Sequence, residues 1–158
     1  MQRKFEPMTA LKDTLREDLT TAMKARDELT TATLRMALTA IGNEEVAGKT
    51  ARVLTDDEVV TVLAKESKKR RESAEAFRAG DREDRALREL AEQAVLDAYL
   101  PAQLSDAELT ALAVAAVAES GASGPQGLGA AMKVLSPRVK GQAEGSRVAA
   151  AVRAALGL

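Results

Sequence analysis

The chain has 158 residues, 46% of them hydrophobic and only 2% aromatic, and a net charge of −1 at pH 7. It contains no cysteine and no histidine, which excludes disulfides and thiolate nucleophiles and removes the commonest general base and metal ligand. Ala, Leu, Glu, Lys and Arg dominate, and the β-branched and aromatic runs of strands are missing, so the expected fold is all-α, in one domain or two small ones.

Residues Met1 to Pro7 are polar and charged, without a signal-peptide core. No apolar run approaches a membrane span. The expected location is the cytoplasm, with no membrane partner. Residues 1–8 read as a flexible leader and Thr9 as an N-cap. Leu11, Leu15, Leu19 and Met23 then recur at every fourth position, one helical stripe. After a polar break at Arg26-Asp27, a second helix runs from about Glu28 to Ala47, with Leu34, Leu38, Ile41 and Glu45 in register and Gly48-Lys49 as the stop. Thr55-Asp56-Asp57-Glu58 is a capping box. It opens a third helix carrying Val59, Val62, Leu63, Ala74 and Phe77 to a left-handed stop at Gly80. Asp81 starts a fourth helix through Leu87, Leu90, Ala91, Ala94, Val95 and Ala98, which Pro101 ends.

Pro101-Ala102-Gln103-Leu104 reads as a linker, and Ser105-Asp106-Ala107-Glu108 as a second capping box. The helix behind it carries Leu109, Leu112, Ala116 and Val117 and ends near Gly121. Ser120 to Gly127 is a Gly/Ser/Pro connector. A short helix with Leu128, Met132 and Leu135 stops at Pro137, a loop with Gly141 and Gly145 follows, and a last helix carries Val148, Val152 and Leu156. The reading is seven helices in two helical subdomains, four helices in 9–100 and three in 101–158. The alanine-rich faces of the second subdomain bury little area, so at about 25 cal/mol per Å² it should be weakly stable alone.

Charge changes sign within the last third. From Pro101 to Met132 stand Asp106, Glu108 and Glu119 without a cation; afterwards Lys133, Arg138, Lys140, Arg147 and Arg153 face Glu144 alone. Lys133, Arg138 and Lys140 are therefore candidate phosphate contacts, with Gly141 and Gly145 shaping the loop. The competing reading is an ordinary, basic helix connection. A second basic cluster, Lys65, Lys68, Lys69, Arg70 and Arg71, sweeps around its helix rather than sharing a face, and Glu66, Glu72 and Glu75 can pair with it. A solvated, ion-paired face is the stronger reading there, with Lys68, Lys69 and Arg71 as secondary RNA contacts. The glycines from Ser120 to Gly129 form no phosphate-loop pattern. Glu44-Glu45 and Asp56-Asp57-Glu58 are sequence neighbours that diverge on a helix, which makes them poor metal pairs. Tyr99 reads as a packing anchor against the second subdomain. No catalytic centre, metal site or cofactor is expected.

Three stretches carry a family resemblance: Leu34-Arg35-Met36 running to Asn43-Glu44-Glu45; Lys69-Arg70-Arg71-Glu72-Ser73 through Ala79-Gly80-Asp81-Arg82-Glu83-Asp84 to Tyr99-Leu100-Pro101-Ala102-Gln103-Leu104-Ser105; and Met132-Lys133-Val134 through Pro137-Arg138-Val139-Lys140-Gly141 to Gly145. In this order they resemble the YqeY, or GatB/YqeY, family. One departure is Gly129-Ala130-Ala131-Met132, where the family commonly has Met-Gly. The resemblance implies two helical subdomains similar to the C-terminal tail of GatB, a component of the tRNA-dependent amidotransferase that amidates Glu-tRNA(Gln) or Asp-tRNA(Asn). It implies a role in translation, as a tail that contacts tRNA while chemistry sits elsewhere. Carbon–nitrogen ligase activity with glutamine as amido donor would belong to the larger enzyme. The expected partners are tRNA or structured RNA, and the amidotransferase or aminoacyl-tRNA machinery. The alternative is a protein-interaction adaptor with no direct RNA contact.

Overall fold

The computed structural model describes residues 10–158, so the leader and the Thr9 cap lie outside the described residues. Among the described residues the chain is all-α, with seven α-helices, two 3-10 turns and no strand. It divides into two compact units, one ending at Leu100 and the other spanning Pro101–Leu158.

The first unit holds α1 (Ala10–Lys24), α2 (Glu28–Glu45), α3 (Asp56–Ala79) and α4 (Glu83–Asp97). With so few aromatics its core is aliphatic: Leu15, Leu34, Ala37, Ile41, Leu54, Val59, Val62, Leu63 and Leu96. Helix starts follow local polar chemistry. Glu58 N donates to the Thr55 hydroxyl and Thr55 N donates to the Glu58 carboxylate, the full capping box. Asp27 caps α2 by accepting from Thr30 N at 3.1 Å. The first turn of α1 borrows its acceptor from α3: Leu11 N donates to Asp56 at 3.2 Å. Lys12 pairs with Glu45 at 2.6 Å, and the second Glu45 oxygen accepts from Leu54 N. That clasp holds the loop before α3, so Leu54 stays fully buried.

Several register expectations are corrected. Steps of four residues drift about 40° around a helix at 100° per residue. The α1 stripe therefore leaves the core by its third step: Met23 is half exposed, and Ala22 is buried instead. In α4, Leu87 is exposed, while Ala86 and Leu96 take the buried positions. Helix α2 ends at Glu45, before Gly48. The left-handed stop after α3 falls on Asp81 (φ 56°) and not on Gly80 (φ −94°). There Arg82 N donates to Phe77 O at 2.8 Å, a Schellman closure. Arg26 (φ 57°) ends α1 the same way, with Asp27 N donating to Ala22 O at 2.9 Å.

Helices α3 and α4 pack against each other most extensively. Beyond Leu63 and Leu96 their interface turns polar. Arg70 is buried; it donates to the Glu66 carboxylate and to Met36 Sδ, and lies 3.8 Å from Glu92. Ser67 donates to Asp97. Tyr99, expected to anchor the second subdomain, packs on the core of the first unit and donates its hydroxyl to Asp18 of α1 at 2.6 Å. A phenol needs both an apolar bed and an acceptor, and α1 supplies the acceptor.

The second unit holds α5 (Asp106–Ser120), α6 (Leu128–Leu135) and α7 (Gly145–Ala155), with 3-10 turns at Pro125–Gly127 and Ser136–Arg138. Its core is Leu109, Ala113, Ala116, Ala131, Leu135, Val139, Val148 and Val152. The Ser105 capping box is complete, and Gly121 (φ 66°) ends α5 in the left-handed region. The 120–127 connector is folded rather than free. Ala122 N donates to the Ser120 hydroxyl. A Cβ on Gly127 would stand 2.8 Å from Ala122 Cβ, so the close approach falls at Gly127, whereas Gly129 faces open space. The expected linker is likewise structured. Leu104 packs on the second core and its amide donates to Gln142 O at 2.8 Å, because an apolar side chain and a free amide both find partners there.

Candidate nucleic-acid interface

The basic loop is built on the outward side of a buried stripe. Leu135 and Val139 point into the core, which leaves Lys133, Arg138 and Lys140 exposed around them. Gly141 (φ 78°) bends the chain after Lys140, and its carbonyl accepts from Gln103 Nε2 at 2.8 Å. Gln142 N donates to Val139 O at 2.8 Å, so this is a tight turn. Gly145 does not shape the loop as expected. It is the first residue of α7, is absent from the positive-φ positions, and has open space where a Cβ would stand.

Ion pairs within the unit account for much of the sign change. Arg138 grips Glu119 of α5 with both ends of its guanidinium, at 2.6 and 2.7 Å. Arg147 donates to Asp106 at 2.7 Å and to Leu104 O at 3.0 Å. Two acids of α5, Asp106 and Glu119, thus pair with two cations of the last third. The hydrogen-bonded Arg138 guanidinium holds the Glu119 carboxyl below its ordinary range, and the Arg138 guanidinium is raised in turn. Among the described residues no ion pair is recorded for Lys133, Lys140 or Arg153. The sequence shows the charge flip; only the fold shows which side chains cancel it, because Glu119 and Arg138 are 19 residues apart.

The α3 cluster is compensated more completely. Lys69 pairs with Glu66 at 3.2 Å and Lys68 with Glu72 at 3.8 Å. Arg71 is engaged as well, and Arg70 is buried. Residues 65–97 carry nine cations and nine anions, and the first turn of α3 adds Asp56, Asp57 and Glu58, so this helical pair has no excess positive charge with which to attract a polyanion. A shallow cleft of about 370 Å³ lies between α2 and α3, lined by Asn43, Glu44, Lys65 and Lys69 among others. The sequence does not show this cleft, because its two walls come from separate helices; the expected divergence of Glu44 and Glu45 is seen. Glu45 turns to Lys12, and Glu44 faces the cleft. Among the described residues no group of three or more acidic side chains could hold a metal ion, and no helix is long and apolar enough to cross a membrane.

A known family model, described as Yqey-like protein, matches the chain over residues 12–156. The chain belongs to the YqeY family. A similar protein, from Schizosaccharomyces pombe, is Uncharacterized protein C22F3.15, 35% identical over 97 residues that cover 61% of this chain and 76% of that protein. In this YqeY chain, residues that carried the resemblance have structural duties. Met36 and Arg70, from different stretches, meet through the sulfur–guanidinium contact. Tyr99 and Leu100 pack on the first core. Lys133 and Lys140 are exposed and have no ion pair among the described residues, which singles them out as candidates for contact with a partner.

Proposed function

We propose that this YqeY-family chain is a non-catalytic helical module that contacts tRNA or another structured RNA through Lys133 and Lys140, with Arg138 between them. The observation that supports this reading is the outward face of α6 and the following turn. There two exposed lysines flank an arginine over eight residues, and the lysines have no recorded ion pair among the described residues. Lys68, Lys69 and Arg71 take no primary part, because their charges are balanced along α3 and α4. A role beside an amidotransferase or aminoacyl-tRNA enzyme would place such a contact on the RNA while the partner performs the chemistry. The test is a titration of labelled tRNA with wild type and with Lys133→Ala/Lys140→Ala. The double variant is expected to bind more weakly; absence of wild-type binding, or identical binding by both, sinks the reading. Purified protein given glutamine, ATP and Glu-tRNA(Gln) is expected to form no amide.

A second reading, a protein-interaction adaptor, draws support from the outer face of α5. Ala107, Ala111, Val114 and Ala118 are exposed there, and between Glu108 and Glu119 the helix carries no charge. A protein partner recovered from nuclease-treated extract with wild type, and lost with Val114→Glu, would favour this reading.

A further inference from the structure

The Glu119 carboxylate by itself does not help α5. Glu119 sits in the last turn of that helix, where the macrodipole disfavours a carboxylate, and that turn holds no basic residue to offset it. By contrast Asp106 and Glu108 lie in the first turn, where the dipole favours them. Glu119 instead supplies two oxygens to the two ends of the Arg138 guanidinium. That planar fork is matched equally well by two oxygens of a phosphate. Both side chains are about half exposed, at 51% and 52%, so the pair is a surface pair that a stronger ligand can open.

We propose that Glu119 is a latch on Arg138: its carboxylate fills the phosphate-reading fork in the free protein, and an RNA phosphate displaces it on binding. The inference rests on the RNA reading above and adds a competitor to it. Lys133 and Lys140 make the first contacts because among the described residues neither has an ion pair to break. Arg138 joins only when a phosphate takes Glu119's place. No covalent bond changes; one bidentate ion pair is exchanged for another. The exchange lowers affinity for RNA by the strength of one exposed ion pair, and it favours ligands that place a phosphate at the fork over those offering only diffuse negative charge.

The experiment is a double-mutant cycle on labelled tRNA with the full chain: wild type, Glu119→Gln, Arg138→Ala and Glu119→Gln/Arg138→Ala, each checked for its helical signal and melting. Glu119→Gln is expected to bind roughly two- to fivefold more tightly than wild type, the range of an exposed pair. Arg138→Ala is expected to bind more weakly, and Glu119→Gln is expected to give a smaller gain in the Arg138→Ala background. If wild type binds and Arg138→Ala weakens it, but Glu119→Gln brings no gain, the latch is wrong and the RNA reading stands. An equal gain with and without Arg138 means that only overall charge has changed, and this too overturns the latch. If neither wild type nor Glu119→Gln binds tRNA, the latch falls together with the reading beneath it.

Discussion

At the scale of single residues, the two most informative side chains are Tyr99 and Arg70. Tyr99 is the chain's only tyrosine. Burial first, then its hydrogen bond to Asp18, raise the phenol above its ordinary value of about 10. A group whose folded pKa is raised contributes stability that is complete below the unfolded pKa and is lost as pH rises towards the folded one. Stability should therefore fall above about pH 10, and Tyr99→Phe should remove that part of the loss. Absorbance at the phenolate band reports on this one group, and it should stay silent in the folded protein at pH values where the unfolded chain ionises. At neutral pH the Tyr99→Phe change should cost about 1 kcal/mol by denaturant melting, the ordinary worth of one hydrogen bond. Arg70 is a harsher case. Its removal takes the buried guanidinium away from Glu66 and Glu92, both largely buried, and leaves them the more exposed Lys69 and Arg88. Arg70→Ala should cost about 3 kcal/mol or more. Neither role was legible in the sequence. Arg70 looked like one cation of a solvated run, and Tyr99 like an anchor for the other subdomain, because a partner 81 residues away leaves no local trace.

At the scale of elements, local chemistry was legible and register less so. Both capping boxes form where the Thr55 and Ser105 patterns place them, because each is settled within four residues. Ser105→Ala should cost about 1 kcal/mol. The stripes of α1 and α4 were misread at their ends, since whether Met23 or Ala22 is buried depends on where the neighbouring helices lie. The left-handed stops at Arg26 and Asp81 were hidden because neither is a glycine. Two glycines now separate by role. Gly127→Ala would push a methyl against Ala122 and should destabilise the second unit by about 1–3 kcal/mol. Gly145→Ala, at the helical start of α7 with open space around it, should be neutral or stabilising by up to about 1 kcal/mol and leave RNA affinity unchanged. Thermal melting of the two variants should move in different directions; a loss of RNA binding by Gly145→Ala would restore that residue to the interface.

At the scale of the whole molecule, composition announced helices, and the helices are there. Charge was harder to read. The sign change in the last third pointed to the loop containing Lys140, yet the fold pairs Arg138 and Arg147 with acids of α5 and leaves only part of the basic surface available. The basic run on α3 is more than offset by the acids of α3 and α4. What remains is a small cationic face, suited to a few phosphate contacts rather than to indiscriminate binding of polyanions. The direct test is the slope of log affinity for tRNA against log salt concentration. If Lys133, Arg138 and Lys140 each meet a phosphate, the slope should be roughly −2 to −3, and Lys133→Ala/Lys140→Ala should make it shallower by about 1.5. A slope near zero, or one that the double variant leaves unchanged, would contradict the assignment of this face to RNA.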